Sequence, residues 1–208
     1  MAEAIWTRYQ PSRKLINDII ASGIIGKVTT LTANLSYAMS QKERIYKPEL
    51  AGGALLDIGV YGINFAIMHL GEDILRMESS VQMMETGVDG MESITMFFEG
   101  DRMAVLTHSA YSRSNRKGIL HGETGYIVVE NINNPQSISV YDANDSLIKF
   151  IPVPEQITGY EYQFAECAEC ISEGRLESKS MPLEDSIKVM EVMDALRKSW
   201  GMVYPQEK

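Results

Sequence analysis

The sequence predicts an α+β domain, and three features of its 208 residues predict it. Seven short segments between residues 74 and 153 alternate like strands and are separated by turn signals, a spacing that joins antiparallel neighbours. Helical patterns stand before and after them, and helices segregated around an antiparallel sheet define the α+β class. No repeat, linker or low-complexity stretch divides the chain.

Taken in order, residues 11–22 form a helix. Leu15, Ile16, Ile19 and Ile20 make one apolar stripe, Pro11 or Ser12 starts it, and Gly23 ends it. From Lys27 the period becomes two: Leu31, Ala33, Leu35 and Tyr37 alternate with Thr30, Thr32, Asn34 and Ser36, which predicts a half-buried strand. Residues 38–50 are a polar loop carrying Lys42, Glu43, Arg44, Tyr46, Lys47 and Pro48. Gly52 and Gly53 then open an apolar stretch, 54–70, too long for a strand and stopped at Gly71, so a largely buried helix is expected. Gly59 and Gly62 each cost about 1 kcal/mol inside a helix, which predicts close packing there against another backbone or a ligand.

The expected strands are 74–84, 91–99, 102–111, 119–122, 126–131, 137–142 and 147–153. In 102–111 both alternating sets, Ala104/Leu106/Ala110 and Met103/Val105, are mostly apolar, and 126–129 has no polar face. Such a sheet needs two covers. Helices supply one, and a second subunit packed sheet to sheet is the expected other, with a closed barrel or a covering loop as alternatives. Helices at 160–173 and 183–200 complete the order, the latter with Ile187, Met190, Val192, Met193, Leu196 and Trp200 on its inner face.

The formal charge of -9 has the wrong sign for a chain whose main partner is a phosphate backbone, so no nucleic-acid role is expected. No stretch approaches the roughly 18 to 20 apolar residues of a membrane span, and no signal peptide pattern opens the chain, which predicts a cytoplasmic protein. Cys167 and Cys170 have CxxC spacing, compatible with a redox pair or half a zinc site. Without a second pair or clustered histidines, they read as two small core or surface thiols and no metal is expected. The 22–27 segment ends like a phosphate loop but lacks its first glycine, and no GxGxxG, HExxH or GxSxG occurs.

Asp57 and Tyr61 stand at i and i+4 on the glycine-marked helix, a carboxylate and a phenol on one face. A phenol serves as a general acid toward a carbonyl or hydroxyl oxygen when a cation lowers its pKa; the same spacing fits a buried tyrosine satisfied by an aspartate. Trp6 and Arg8 offer an aromatic wall and an anchor for a small polar ligand, or equally a packed indole and a surface guanidinium.

These residues also carry a resemblance. The segments MAEAIWTRYQP at 1–11, IIGKV at 24–28, GGALLDIGVY at 52–61, ETGVD at 85–89 and YPQ at 204–206 together resemble the C-terminal domain of the Gfo/Idh/MocA oxidoreductases, in particular the branch of dimeric dihydrodiol dehydrogenase. The similarity runs over essentially the whole chain. It implies an open, predominantly antiparallel sheet with helices on one face, like the C-terminal domain of glyceraldehyde-3-phosphate dehydrogenase, with 1–208 as one substrate-binding and dimerisation domain. By the resemblance Tyr61 is the acid/base group with Asp57 one turn before it, Trp6 lines the substrate pocket, and Arg8 follows from the WTR motif. A sugar, polyol or trans-dihydrodiol is the implied substrate, and NAD or NADP the cofactor of the complete enzyme. The family's Rossmann domain, with its glycine loop and Glu-Lys-Pro lysine, has no match here. The isolated chain is therefore expected to bind no cofactor tightly and to be inactive; the alternative is a stand-alone ligand-binding or subunit-interaction module without catalysis.

Overall fold

A computed structural model describes residues 1–207, and eight strands in it form one open sheet. The strands are β1 (Val28–Ser36), β2 (Ile74–Met83), β3 (Asp89–Phe98), β4 (Arg102–Ser109), β5 (Gly118–Gly122), β6 (Gly125–Val129), β7 (Ser137–Asp142) and β8 (Leu147–Pro152). Their spatial order is β2-β3-β4-β1-β5-β6-β7-β8. Every neighbouring pair is antiparallel except β1 and β4, which run parallel with Leu31 beside Ala104 and Leu35 beside His108. Pattern reading anticipated the strands and the antiparallel bias. It did not anticipate that β1 inserts between β4 and β5, because a long-range pairing leaves no mark on either strand.

The helices are α1 (Pro11–Ala21), α2 (Glu43–Tyr46), α3 (Val60–Leu70), α4 (Glu161–Ser172) and α5 (Leu183–Ser199). Pro11 occupies the first turn of α1 and Gly23, at φ 71°, follows its end, the usual asymmetry of start and stop. Ile16 and Ile19 are its buried stripe. Helix α3 lies on the central strands β1 and β4, with α1 and α5 packed against it. Ile63, Phe65, Ala66, Ile67 and Leu70 are buried there, each large side chain contributing roughly 1.5–3 kcal/mol of transfer free energy. On α5 the inner face is Val189, Val192, Met193 and Leu196. Ile187 and Met190, expected inside, are exposed, because the helix meets the domain along a narrower stripe than its composition suggests.

The 48–70 segment is a correction to the membrane reading. Pro48–Leu70 is long and apolar enough by composition to span a bilayer, but 72% of its most apolar window is buried inside the domain, so its hydrophobicity is that of a core element.

The two sheet faces differ. Leu31, Leu35, Ile94, Met96, Leu106, Leu120, Ile127 and Val140 point inward and are fully buried. On the opposite face Met103, Val105, Ile119 and Val128 are only partly buried, flanked by Thr30, Thr32, Thr95 and Ser139.

Candidate active site

The turn that delivers Tyr61 is irregular. Between Ala54 and α3 the backbone makes a π-helical turn, Leu55–Gly59, one residue wider per turn than an α-helix, a device found mostly as single turns and often at functional sites. Asp57 lies in that turn, so it does not pair with Tyr61 as regular i, i+4 spacing would suggest. Its carboxylate forms an ion pair with the Arg44 guanidinium from α2. Tyr61 itself is half-buried, and burial raises its pKa. The Trp6 indole N–H works against that rise without reaching hydrogen-bond geometry; the Tyr160 and Tyr37 phenols add to it, and Arg44 opposes it. Arg44 is thus a cation near the phenol that the sequence placed only in a polar loop.

Trp6 opens a short 3₁₀ turn, Trp6–Tyr9, and is buried. Its ring stacks on Tyr160 with centroids 4.2 Å apart. Gly159, at φ 90°, presses on the indole, where a Cβ would come within 2.7 Å of Cζ3. The Glu161 carboxylate fixes this approach by accepting the backbone N–H groups of Ile157, Thr158 and Gly159 at 2.7, 3.1 and 2.7 Å. Polar side chains continue the wall: Gln156 donates to Asn134 Oδ1 at 2.6 Å, and Asn133 donates to the Tyr37 hydroxyl at 3.2 Å. The Trp6 indole nitrogen, Asn133 Oδ1 and Gln156 Oε1 are buried without a partner among the described residues. Unpaired buried polar atoms are costly, and a polyhydroxylated ligand supplies the kind of partner they lack.

Arg8 does not join this wall. It is 2% exposed, its guanidinium paired with Asp185 on α5 and donating to Met181 Sδ at 3.1 Å. The WTR motif therefore places Trp6 on the Tyr160 ring and the Arg8 guanidinium, expected as a ligand anchor or a surface charge, in a buried joint between the first turn and the last helix.

Behind α3 lies a second polar group that sequence reasoning missed. Asp89 and Glu92 on β3 and His108 on β4 face inward and are buried. His108 Nδ1 lies 3.1 Å from Glu92 Oε1, and Asp89 Oδ2 accepts the Leu55 N–H of the π-turn at 2.6 Å. The helix glycines fit this cluster. A Cβ on Gly62 would overlap the His108 ring, one on Gly59 would lie 2.8 Å from Glu92 Oε1, and one on Gly53, at φ 119°, would collide with Asp89. Burial pushes Asp89 up to about 7, helped by the neighbouring Glu92, and Glu92 up to about 8; it pushes His108 down to about 4. At neutral pH the Glu92–His108 contact is a hydrogen bond between uncharged partners. The readable signal was a pair of polar residues on the inward beat of two apolar strands.

Cys170 is buried with Sγ 3.0 Å from Arg175, Cys167 is partly exposed, and both thiols are free. Among the described residues no three His, Cys, Asp or Glu side chains are grouped to hold a metal ion. Among the described residues no parallel strand runs through a glycine loop into a helix N-terminus.

The structure is an open, mostly antiparallel eight-stranded sheet backed by helices. The GFO/IDH/MocA C-terminal domain model matches residues 14–128, and the chain belongs to that family. Over its full length it is 31% identical to the trans-1,2-dihydrobenzene-1,2-diol dehydrogenase of Danio rerio and 29% identical to the scyllo-inositol 2-dehydrogenase (NADP(+)) of Bacillus subtilis. It spans 64% of each of these relatives. Among solved structures, an aldose-aldose oxidoreductase from Caulobacter crescentus complexed with glycerol has a TM-score of 0.81 at 20% identity, over 93% of this chain and 59% of that one. A 3-ketoreductase from Actinomadura kijaniata in complex with NADP and TDP-benzene has a TM-score of 0.83 at 20% identity, over 93% and 60%. At that identity the likeness establishes the fold.

Proposed function

We propose that this domain forms the substrate pocket and carries the proton-transfer group of an NAD(P)-dependent oxidoreductase acting on a sugar, polyol or trans-dihydrodiol. One observation carries the reading: Tyr61 is delivered by a π-turn to a wall where Trp6, Tyr160, Tyr37 and Arg44 converge and three buried polar atoms lack partners. Hydride chemistry belongs to the cofactor, and this chain's own part is the proton. When a carbonyl is reduced, the Tyr61 hydroxyl donates to the developing alkoxide. When an alcohol is oxidised, the phenolate takes the proton back. Burial keeps Tyr61 in its phenol form at neutral pH, which suits the donor role, while Arg44 moderates the cost of the phenolate. Asp57 holds Arg44 in place, and the exposed Tyr160 ring, backed by the buried Trp6 indole, gives the apolar flank of a sugar ring a flat surface.

In this reading the isolated domain binds substrate without turning it over, and a second copy covers the half-exposed face of β4, β1, β5 and β6. Light scattering of the purified chain tests the latter: a dimer mass is expected, and a monomer mass at all concentrations would refute it. The proton role is tested in an enzyme joining this domain to its nucleotide-binding half. Tyr61→Phe is expected to lower kcat by roughly 10²- to 10⁴-fold, the usual contribution of a positioned acid or base. Unchanged turnover would remove Tyr61 from the reaction.

A further inference from the structure

Next to the Tyr61 wall, the loop after β1 and the loop from β4 to β5 enclose a cavity of about 310 Å³. Tyr37, Lys42, Arg113, Ser114 and Arg116 line it, and no carboxylate does, in a chain whose formal charge is -9. Among the described residues, Lys42, Arg113 and Arg116 form neither a salt bridge nor a side-chain hydrogen bond. Elsewhere Lys47, Lys117, Lys188, Arg175 and Arg197 each have a carboxylate partner, and Lys27, Lys149, Lys179 and Lys198, which form no salt bridge among the described residues, do not line this cavity; what sets it apart is three such cations lining one concavity. Three cations sharing one concavity repel one another, and an anion held between them relieves that repulsion.

Arg116 is also held in an uncommon backbone state. Its φ is 60°, and its N–H is fixed by Asn34 Oδ1 at 3.1 Å and Ser114 Oγ at 3.2 Å. A non-glycine residue in the left-handed region costs free energy and persists where neighbouring bonds over-determine it. The guanidinium lies 5.7 Å from the centre of the Tyr37 ring. Tyr37 is the wall common to both spaces, because its phenol also bears on the ionisation of Tyr61. Lys42 sits two residues before Arg44, the cation of the Tyr61 site, so one loop serves both places.

We infer that this cavity is an anion-recognition subsite of the substrate pocket. The substrate carries, besides the hydroxyl or carbonyl that reacts at Tyr61, an anionic oxygen group that docks on Arg116, Arg113 and Lys42. A carboxylate and a phosphate share that chemistry, since both meet a planar guanidinium with two oxygens. The inference rests on the proposed role of Tyr61 only for where the reacting carbon lies; recognition of the anion does not need it.

The test is calorimetric titration of the 208-residue chain with D-glucose, D-gluconate and D-glucose 6-phosphate at low salt, with adenosine 2′,5′-bisphosphate as a cofactor-phosphate control. Gluconate or glucose 6-phosphate is expected to bind about tenfold more tightly than glucose, and the better of the two assigns carboxylate or phosphate. High salt is expected to erase the advantage, as is the double variant Arg113→Gln/Arg116→Gln, whose fold is checked by circular dichroism and Tm. Equal binding of the three sugars, no binding of any, an advantage kept by the double variant, or binding of the adenosine bisphosphate alone would each overturn the inference. Tyr61→Phe separates the two proposals: it is expected to leave the anion preference intact, so loss of that preference in the arginine variant and loss of turnover in the tyrosine variant are independent results.

Discussion

The front and back of helix α3 solve opposite problems within one turn of each other. Behind it, Asp89, Glu92 and His108 are buried: His108 meets Glu92, both uncharged at neutral pH, and Asp89 accepts the Leu55 N–H, while Asp89 Oδ1, Glu92 Oε2 and His108 Nε2 lack partners among the described residues. In front, Tyr61 stands among rings and polar atoms that are unpaired. The difference is one of burial: glycine lets the helix settle onto the polar side chains behind it and seals them from water, while Tyr61 in front is only half-buried. The difference teaches that the glycines serve the site indirectly: they set the depth at which α3 sits, and that depth places Tyr61.

The largest expected way to break this division is to fill the back. Gly62→Ala adds a methyl group where the His108 ring lies. Alanine is worth about 1 kcal/mol over glycine in a helix, but overpacking a rigid core costs typically 1–3 kcal/mol and more where a ring must move. A net loss of about 2 kcal/mol is expected, equal to a fall of about 4–8 °C in Tm for a domain of this size. Scanning calorimetry reads it. A raised Tm would mean that His108 yields easily and that the glycine has no seating role.

A smaller effect, in the same cluster, depends on pH. Asp89 and Glu92 hold their protons more tightly folded than unfolded, from 3.8 to about 7 and from 4.5 to about 8, so their contribution to stability is complete below about pH 4 and is lost as pH rises through those values. His108 is lowered from 6.5 to about 4, so its contribution is complete above pH 6.5 and is lost as pH falls toward 4. The two trends offset each other in the acid range and leave pH 6.5–8 to the carboxyls alone. Urea unfolding is expected to show stability declining across that interval. Glu92→Gln, whose amide can still donate to His108 Nδ1, is expected to flatten the decline; an equally steep decline in that variant would mean that the carboxyl does not titrate there.

How much of this the sequence made readable follows the range of the forces involved. Strand and helix periods are local, and the boundaries of α1, α5 and most strands fall within a residue or two of those expected from alternation and capping, whereas α3 ends as expected at Leu70 but starts at Val60, after the π-turn, and not at Ala54. Tyr61 and Trp6 stood out as candidates because phenol and indole are distinctive beside a glycine-marked helix; the structure adds only their local surroundings. Arg8 was misplaced because its partner, Asp185, lies 177 residues away, and nothing local announces a buried guanidinium. The parallel pairing of β1 with β4 and the inward polar cluster escaped for the same reason: each is a relation between strands, while alternation reports only one strand at a time. The π-turn escaped because adding one residue to a helical turn leaves the apolar pattern almost unchanged.

The smallest expected change in stability lies at the front, in the Arg44–Asp57 pair, and it separates structure from chemistry most cleanly. Arg44 keeps 53% of its side chain exposed and Asp57 28%, so the pair is worth about 0.2–1 kcal/mol to folding, as exposed ion pairs are. Arg44→Met is therefore expected to shift Tm by only a degree or two. Its effect on Tyr61 runs the other way. Arg44 is the cation that counters the upward push of burial on the phenol, so removing it raises the pKa of Tyr61 further. Alcohol oxidation, which needs the phenolate, is then expected to reach its plateau at a higher pH in the variant of the joined enzyme, while carbonyl reduction, which needs the phenol, keeps its rate at neutral pH. A pH profile that does not move, with Tm unchanged, would leave Arg44 as a surface charge and return the tuning of Tyr61 to burial and the Trp6 indole alone.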